Sequence, residues 1–491
     1  MSSKIPQYTR FSPMLDRLRE TRAPGRFSVP KRGRIRAVLV IAIVTLTILV
    51  LRNKREENRD VVTLAPPTAS IAVGSPAVKA KPRFSFFQRK PRPPAPLKSA
   101  SGGLDVAALL KRHPPRLSHE RDTVSDDGRD YVVHYSLDTA LQKYCRILLQ
   151  RYHPLYGAVV AIDPATGAVR ALVSYINEGE PYLGKDLYCR NLFPAASIFK
   201  TVTAAGAIEK GKLNSESMLK QVGRNHTLYR FQLEEELKNY REVSLVDAYA
   251  YSINPVFGRM GLYILEADGM AKYAEKFGFG QPIPFELETD EARFVPPDTQ
   301  HTLAELASGF NQQTRISPLF GALIASAVAE NGAMPRPTLV DSVTVFGTGA
   351  RIYRKEPGTW RTAIKAETAR ELKEMMGAVA RYGTARKSFR TLRHTSAFDA
   401  FEYGGKTGNI DHDSIGRVDW FVGFARDPRD SGNRLAVGIV TVHGPNWTVH
   451  SSYLGAELCR SYLRSKIRET RQRTDIVHAR EEEEAQIHEG G

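Results

Sequence analysis

The feature that most constrains this chain is a set of three short segments in a fixed order: Ser197-Ile198-Phe199-Lys200, Ser252-Ile253-Asn254 and Lys406-Thr407-Gly408. The two serines stand 55 residues apart, and Lys406 follows Ser252 by 154. Each segment alone is common in a chain of this length; together and in order they describe one site. Ser197 opens an apolar, alanine-rich stretch that reads as a helix to about Lys210. A spacing of three puts Lys200 one turn along, on the same face as Ser197. The first N–H groups of such a helix are unpaired and point at the site. A serine hydroxyl is a poor nucleophile until a base takes its proton. Lys200 serves as that base only if burial and a nearby positive charge lower its pKa, and Lys406 is the candidate charge.

Pro255 follows Asn254, so the chain is expected to bend and expose Ser252 and Asn254 on a loop. There Ser252 would relay a proton to a leaving group and Asn254 would hold a substrate amide. Gly404-Gly405-Lys406-Thr407-Gly408 reads as a strand whose glycines admit a second backbone. A substrate would lie along that edge as an added strand, with Lys406 and Thr407 on its terminal carboxylate. The N–H groups of Ser197 and Asn409 would make an oxyanion hole.

Charge is unevenly placed. The formal net charge is +17, yet residues 1–60 carry 14 Lys/Arg against 5 Asp/Glu, and residues 61–100 carry 7 Lys/Arg and no acid. The remainder is close to neutral, so the globular part has no basic groove of the kind nucleic acid needs. Ala37–Leu51 is an apolar run broken only by Thr45 and Thr47 and bracketed by Arg36 and Arg52. It is short for a bilayer span. No small-residue cleavage site follows it, and an uncleaved signal anchor with snorkelling arginines is expected. Residues 1–36, with ten Lys/Arg and two acids, then form a cytoplasmic basic arm, and the rest lies outside the inner membrane. The three cysteines, Cys145, Cys189 and Cys459, make no disulfide scaffold; one bridge (Cys145 with Cys459) and three buried thiols both remain open.

Residues 52–129 read as a tether, with eight prolines between 61 and 103, interrupted by Phe84, Phe86 and Phe87. Order is expected from about Tyr131. Val132–Leu137 reads as a strand, and Asp138-Thr139 as the cap of a helix. Gly157–Ile162, a turn at Asp163–Gly167 and Ala168–Val173 form a hairpin. Helices are expected over 244–275, 302–330, 367–382 and Tyr453 to about Arg471, and strands at Gly404–Lys406, Trp420–Ala425 and Leu435–Val442. Two strands early and three late, with helices between, predict an α+β domain over 130–471 built on one antiparallel sheet. Residues 472–491 read as a charged, solvated tail. Asp411-His412-Asp413 resembles a ligand set but is assigned to a polar hairpin turn, with no metal. Asp419 is read as a polar residue at a strand start, not a catalytic acid.

The three motifs in this order resemble the signature of the serine enzymes that react with penicillin. The chain is similar to the transpeptidase domain of penicillin-binding proteins, particularly the monofunctional class B type, over roughly residues 130–465. Gly157–Leu172, Pro194-Ala195-Ala196-Ser197, Ser317-Pro318-Leu319, Gly383-Thr384-Ala385 and Trp420–Phe424 carry the likeness beyond the motifs. The resemblance implies a five-stranded antiparallel sheet with helices on both faces plus an all-helical subdomain. It implies Ser197, Lys200 and Ser252 as catalytic residues, and Asn254, Lys406, Thr407, Gly408 and Asn409 as substrate-binding residues. The reaction implied is D,D-transpeptidation: a peptidoglycan stem peptide acylates Ser197, D-Ala leaves, and a neighbouring amine forms the cross-link. No cofactor is implied; β-lactams would be covalent inhibitors, and a glycan polymerase a partner.

Asn409 and Ile410 depart from the family pattern, which has Thr and a small residue there. The large non-catalytic domain of class B members is expected to be missing, since only about 80 residues separate anchor and core. A D,D-carboxypeptidase, with water as acceptor, and a catalytically silent penicillin-binding scaffold stay open as alternatives. A β-lactamase is disfavoured, because no Glu-x-x-Leu-Asn segment lies between Ser252 and Lys406.

Overall fold

The structure is a computed structural model that describes residues 104–489. Contacts divide the chain into two units, Met1–Phe86 and Phe87–Gly491, and the described residues belong to the second. The basic arm, the apolar run 37–51 and the three phenylalanines of the tether lie outside the described residues. Among the described residues, no helix is long and apolar enough to cross a membrane.

The centre is a five-stranded antiparallel sheet in the order Glu402–His412, Gly416–Asp427, Asp430–His443, Tyr156–Ile162, Val169–Ile176. Both ends of the domain build it, as expected from the sequence. Its inner strands are buried on both faces, Tyr156–Ile162 at every position, and so read as continuous apolar runs rather than alternating ones. Lys406 pairs with Val422, Gly408 with Trp420 and Asn409 with Asp419. The strand that carries Lys406 is the sheet edge, so its outer side is open to a cleft.

Helices cover both faces. Pro318–Ala329 is buried at every position, capped by Ser317, whose Oγ accepts the Phe320 N–H at 3.1 Å. It reaches the sheet because Gly438 has no side chain; a Cβ there would stand 2.0 Å from the Pro318 carbonyl oxygen. Thr139–Tyr152 and Ser451–Glu489 lie on the other face, the first capped by Asp138 on the Leu141 N–H. A helical lobe follows the first hairpin: Lys200–Gly211, Leu245–Ala250, Asn254–Met260, Glu266–Phe277, Gln300–Ser308 and Ala366–Arg381.

Several expectations need correction. The tether does not extend to residue 129, and order does not begin at Tyr131. Val106–Arg112 is a helix, and Arg121–Asp126 is the outer strand of a second, four-stranded sheet with Arg129–Tyr135, Val340–Val345 and Arg351–Arg354. Local propensity is too weak to reveal this segment. It is held by burial of Val106, Leu109 and Leu110 and by Arg112 and Arg116 on Asp126 and Asp122. At the other end, the last helix continues through the expected tail to Glu489. Asp411 and His412 belong to the edge strand rather than the turn, and Asp411 pairs with Arg417 at 2.8 Å. Asp419 sits within its strand, not at its start. The cysteine alternatives resolve: Cys145, Cys189 and Cys459 are free and buried.

Candidate active site

Ser197 lies on a 3-10 turn, Ala196–Phe199, that runs straight into the helix Lys200–Gly211. Ala196 has φ +47°, a left-handed conformation that costs an ordinary residue about 1–3 kcal/mol and is held only by its surroundings. Two contacts hold it. The Trp420 indole N–H donates to the Pro194 carbonyl at 2.8 Å. Gly309, at φ +64°, packs so closely that a Cβ would meet the Ala196 carbonyl oxygen at 2.0 Å. That proximity also brings the Ser308 carbonyl over Lys200.

Lys200 is fully buried. Its Nζ lies 2.9 Å from Ser197 Oγ and 2.7 Å from Asn254 Oδ1, and it also bonds the Ser308 carbonyl. A neutral amine has two N–H donors and one lone pair. The amide and carbonyl oxygens take the two donors, which leaves the lone pair aimed at the Ser197 hydroxyl. Burial drives the Lys200 pKa well below the ordinary lysine range, and the Lys406 charge pushes in the same direction.

Ser252 and Asn254 are not on an exposed loop. Both are buried, Ser252 at φ +55° and Asn254 as the first residue of the helix Asn254–Met260 with Pro255 behind it. Pro here starts a helix, because its missing N–H is one that a first turn leaves unpaired anyway. Lys406 is fully buried and donates to Ser252 Oγ at 3.0 Å and to the Thr407 carbonyl at 2.9 Å. Burial lowers its pKa to about 7. Its ammonium therefore stands behind Ser252 and is not among the groups lining the cleft.

The cleft has a volume of about 710 Å³. Ser197, Ser252, Asn254, Thr407, Gly408 and Asn409 line it, so the structure brings all the expected residues to one place, the two lysines directly behind their serines. It also brings residues that the motifs do not announce: His226, Thr384, Lys387, Asp419, Trp447 and His450. Thr384 had a signal in its Gly-Thr-Ala segment, and its hydroxyl meets that of Thr407 at 2.6 Å. The others reach the cleft through tertiary contacts alone. Among the described residues, no group of three or more His, Cys, Asp or Glu side chains gathers where a metal could be held.

A central antiparallel sheet, a helical lobe and two serine–lysine pairs meeting at a sheet edge define the serine–lysine acyl-transfer class of folds. Residues 157–458 match the family model of the penicillin binding protein transpeptidase domain. The chain belongs to that family. It is 26% identical over 340 residues to the peptidoglycan D,D-transpeptidase PbpA of Mycobacterium tuberculosis, covering 62% of this chain and 64% of that protein. The chain thus spans just under two thirds of the length of that relative. The D,D-transpeptidase domain of a peptidoglycan glycosyltransferase from Eggerthella lenta superposes with a TM-score of 0.56 at 24% identity, covering 73% of this chain and 87% of that one. Penicillin-binding protein A of M. tuberculosis, solved as its penicillin G acyl-enzyme, superposes with a TM-score of 0.54 at 22% identity, covering 68% and 80%. At these identities the structural likeness establishes the fold.

Proposed function

We propose that this protein is a monofunctional, class B-like peptidoglycan D,D-transpeptidase. Ser197 Oγ attacks the carbonyl of the penultimate D-Ala of a stem peptide as its proton passes to Lys200 Nζ. The new C–O bond forms, the peptide C–N bond breaks, and the proton returns to the departing D-Ala amine through Ser252. An acceptor amine then attacks the ester, loses a proton along the same route, and releases Ser197. The N–H groups of Ser197 and Asn409 hold the oxyanion in both halves, a contribution worth about 100- to 1,000-fold per donor in comparable sites. Asn254 has a second role: its Oδ1 orients the base, while its NH₂ stays available to a substrate carbonyl. Penicillin would acylate the same serine; the related penicillin-binding protein A of M. tuberculosis has been solved as a penicillin G acyl-enzyme.

The observation that carries this reading is the 2.9 Å contact between Ser197 Oγ and the fully buried Lys200 Nζ. The wider assignment goes with it: residues 37–51 as a single-pass anchor in the inner membrane, residues 1–36 in the cytoplasm, the domain outside, and a glycan polymerase as partner. Intact mass of the full chain in detergent, followed over hours with a fluorescent penicillin beside Ser197→Ala, tests the chemistry. A single long-lived adduct, lost in the variant, is expected. An adduct that persists in Ser197→Ala would overturn the assignment.

A further inference from the structure

The cleft ends in a closed ring of side chains beyond Thr407. Thr407 Oγ1 meets Thr384 Oγ1 at 2.6 Å. Lys387 and Ser388 follow Thr384 in a tight turn, and Ser388 Oγ lies 2.8 Å from Ser452 Oγ at the head of the last helix. His450 immediately precedes that helix, its ring 4.7 Å from that of Trp447. Asp419 closes the ring: it pairs in register with Asn409 and accepts the Ser451 N–H at 2.6 Å, and it lies 3.8 Å from His450 Nδ1.

The charges in this ring do not balance. Asp411 is taken by Arg417 at 2.8 Å. Asp419 is buried, and its carboxylate is occupied by the helix N–H and by His450. The Lys387 ammonium has no ion-pair or hydrogen-bond partner among the described residues, and it lines the same cleft as His450, whose Nδ1 faces Asp419. An unpaired ammonium on the cleft wall, beside His450 and the hydroxyls of Thr384, Thr407, Ser388 and Ser452, makes a place for an anion that the protein itself does not fill. Lys406 cannot serve there directly, being spent behind Ser252.

We infer that Lys387 and His450 select the acceptor: they recognise a carboxylate borne on the same carbon as the attacking amine. This rests on the transpeptidase reading. By microscopic reversibility, the attacking amine enters along the path by which the D-Ala amine leaves. The leaving D-Ala carries its carboxylate one carbon from that amine, so an acceptor of the same α-amino-carboxylate form places its carboxylate on the same two side chains. A plain primary amine or an amidated acceptor leaves Lys387 unpaired.

The test is partitioning of one acyl-enzyme. A D-alanyl thioester donor with an uncharged leaving group acylates the full-length protein in detergent, and D-alanine competes with D-alaninamide as acceptor. Both products branch from the same intermediate, so their ratio does not depend on how fast it forms. Wild type is expected to favour the free carboxylate by about 10- to 100-fold. Lys387→Ala/His450→Gln is expected to bring the ratio near one, and Lys387→Arg to keep the preference. No preference in wild type, a preference intact in the double variant, or one lost equally in Lys387→Arg would overturn the inference while leaving the transpeptidase reading standing. Absence of any acylation of wild type would overturn that reading first, and the inference with it.

Discussion

Lys406 Nζ lies 3.0 Å from Ser252 Oγ across 154 residues of sequence, both buried in the wall of the cleft. The contact places a second positive charge near Lys200 without exposing it to solvent, and the two amines therefore titrate as neighbours. Lys406→Ala removes that charge. The ammonium form of Lys200 is then less disfavoured, its pKa rises, and the neutral base appears only at higher pH. Acylation by penicillin at neutral pH is expected to fall about 100-fold or more, and the rising limb of its pH profile should move to higher pH. A profile that drops in height without moving would show that Lys406 acts only through Ser252.

Asn254 provides a sharper version of the same argument. Its Oδ1 accepts from Lys200 at 2.7 Å. Asn254→Asp puts a carboxylate there and holds Lys200 as an ammonium, with no lone pair for Ser197. Acylation is expected to drop by a factor on the order of 1,000, while the melting temperature changes little because the buried carboxylate and ammonium form as a pair. Wild-type acylation in this variant at pH 7 would sink the assignment of Lys200 as base.

Gly309 tests the framework of the turn that carries Ser197. Gly309→Ala forces a methyl group against the Ala196 carbonyl at 2.0 Å and into a positive φ. A loss of about 3 kcal/mol or more in denaturant unfolding is expected, together with loss of acylation, since the turn carrying Ser197 must move. Unchanged stability would mean that the turn yields at little cost.

His443 gives the domain an acid limit. Burial lowers its imidazole pKa to about 4, aided by His450 and Arg417. The unfolded chain binds its proton near pH 6.5. Because the folded value is the lower one, this contribution to stability is complete above pH 6.5 and is lost as pH falls toward 4. Asp126, held near 2 chiefly by its hydrogen bond from Arg112, acts in a separate, more acidic window, from about 4 down to about 2. Melting temperatures between pH 7 and 4 should fall in wild type and fall less in His443→Gln; parallel curves would reject His443 as the cause.

Much of this is legible in the sequence alone. The hairpin around Asp163–Gly167, the cap at Asp138 and the helix that follows Ser197 are local patterns, and each appears where the sequence places it. The helix at 106–112 and the strand at 121–126 were not legible, because they persist through partners more than a few residues away. From sequence Asn254 reads as a loop residue, because Pro255 signals a bend as readily as a helix start. Lys387, Asp419 and His450 carry no motif; only the pairing of Asn409 with Asp419 and the packing of the last helix bring them to the cleft.

The division follows the range of the forces. Residue identity and short spacing settle which groups can react: a serine with an amine one turn away, a second serine, and a strand open on one side. Whether that amine is a base depends on how deeply it is buried and which charge stands beside it. Those are properties of contacts such as Lys200 with Asn254 and Lys406 with Ser252, which exist only once distant segments have packed.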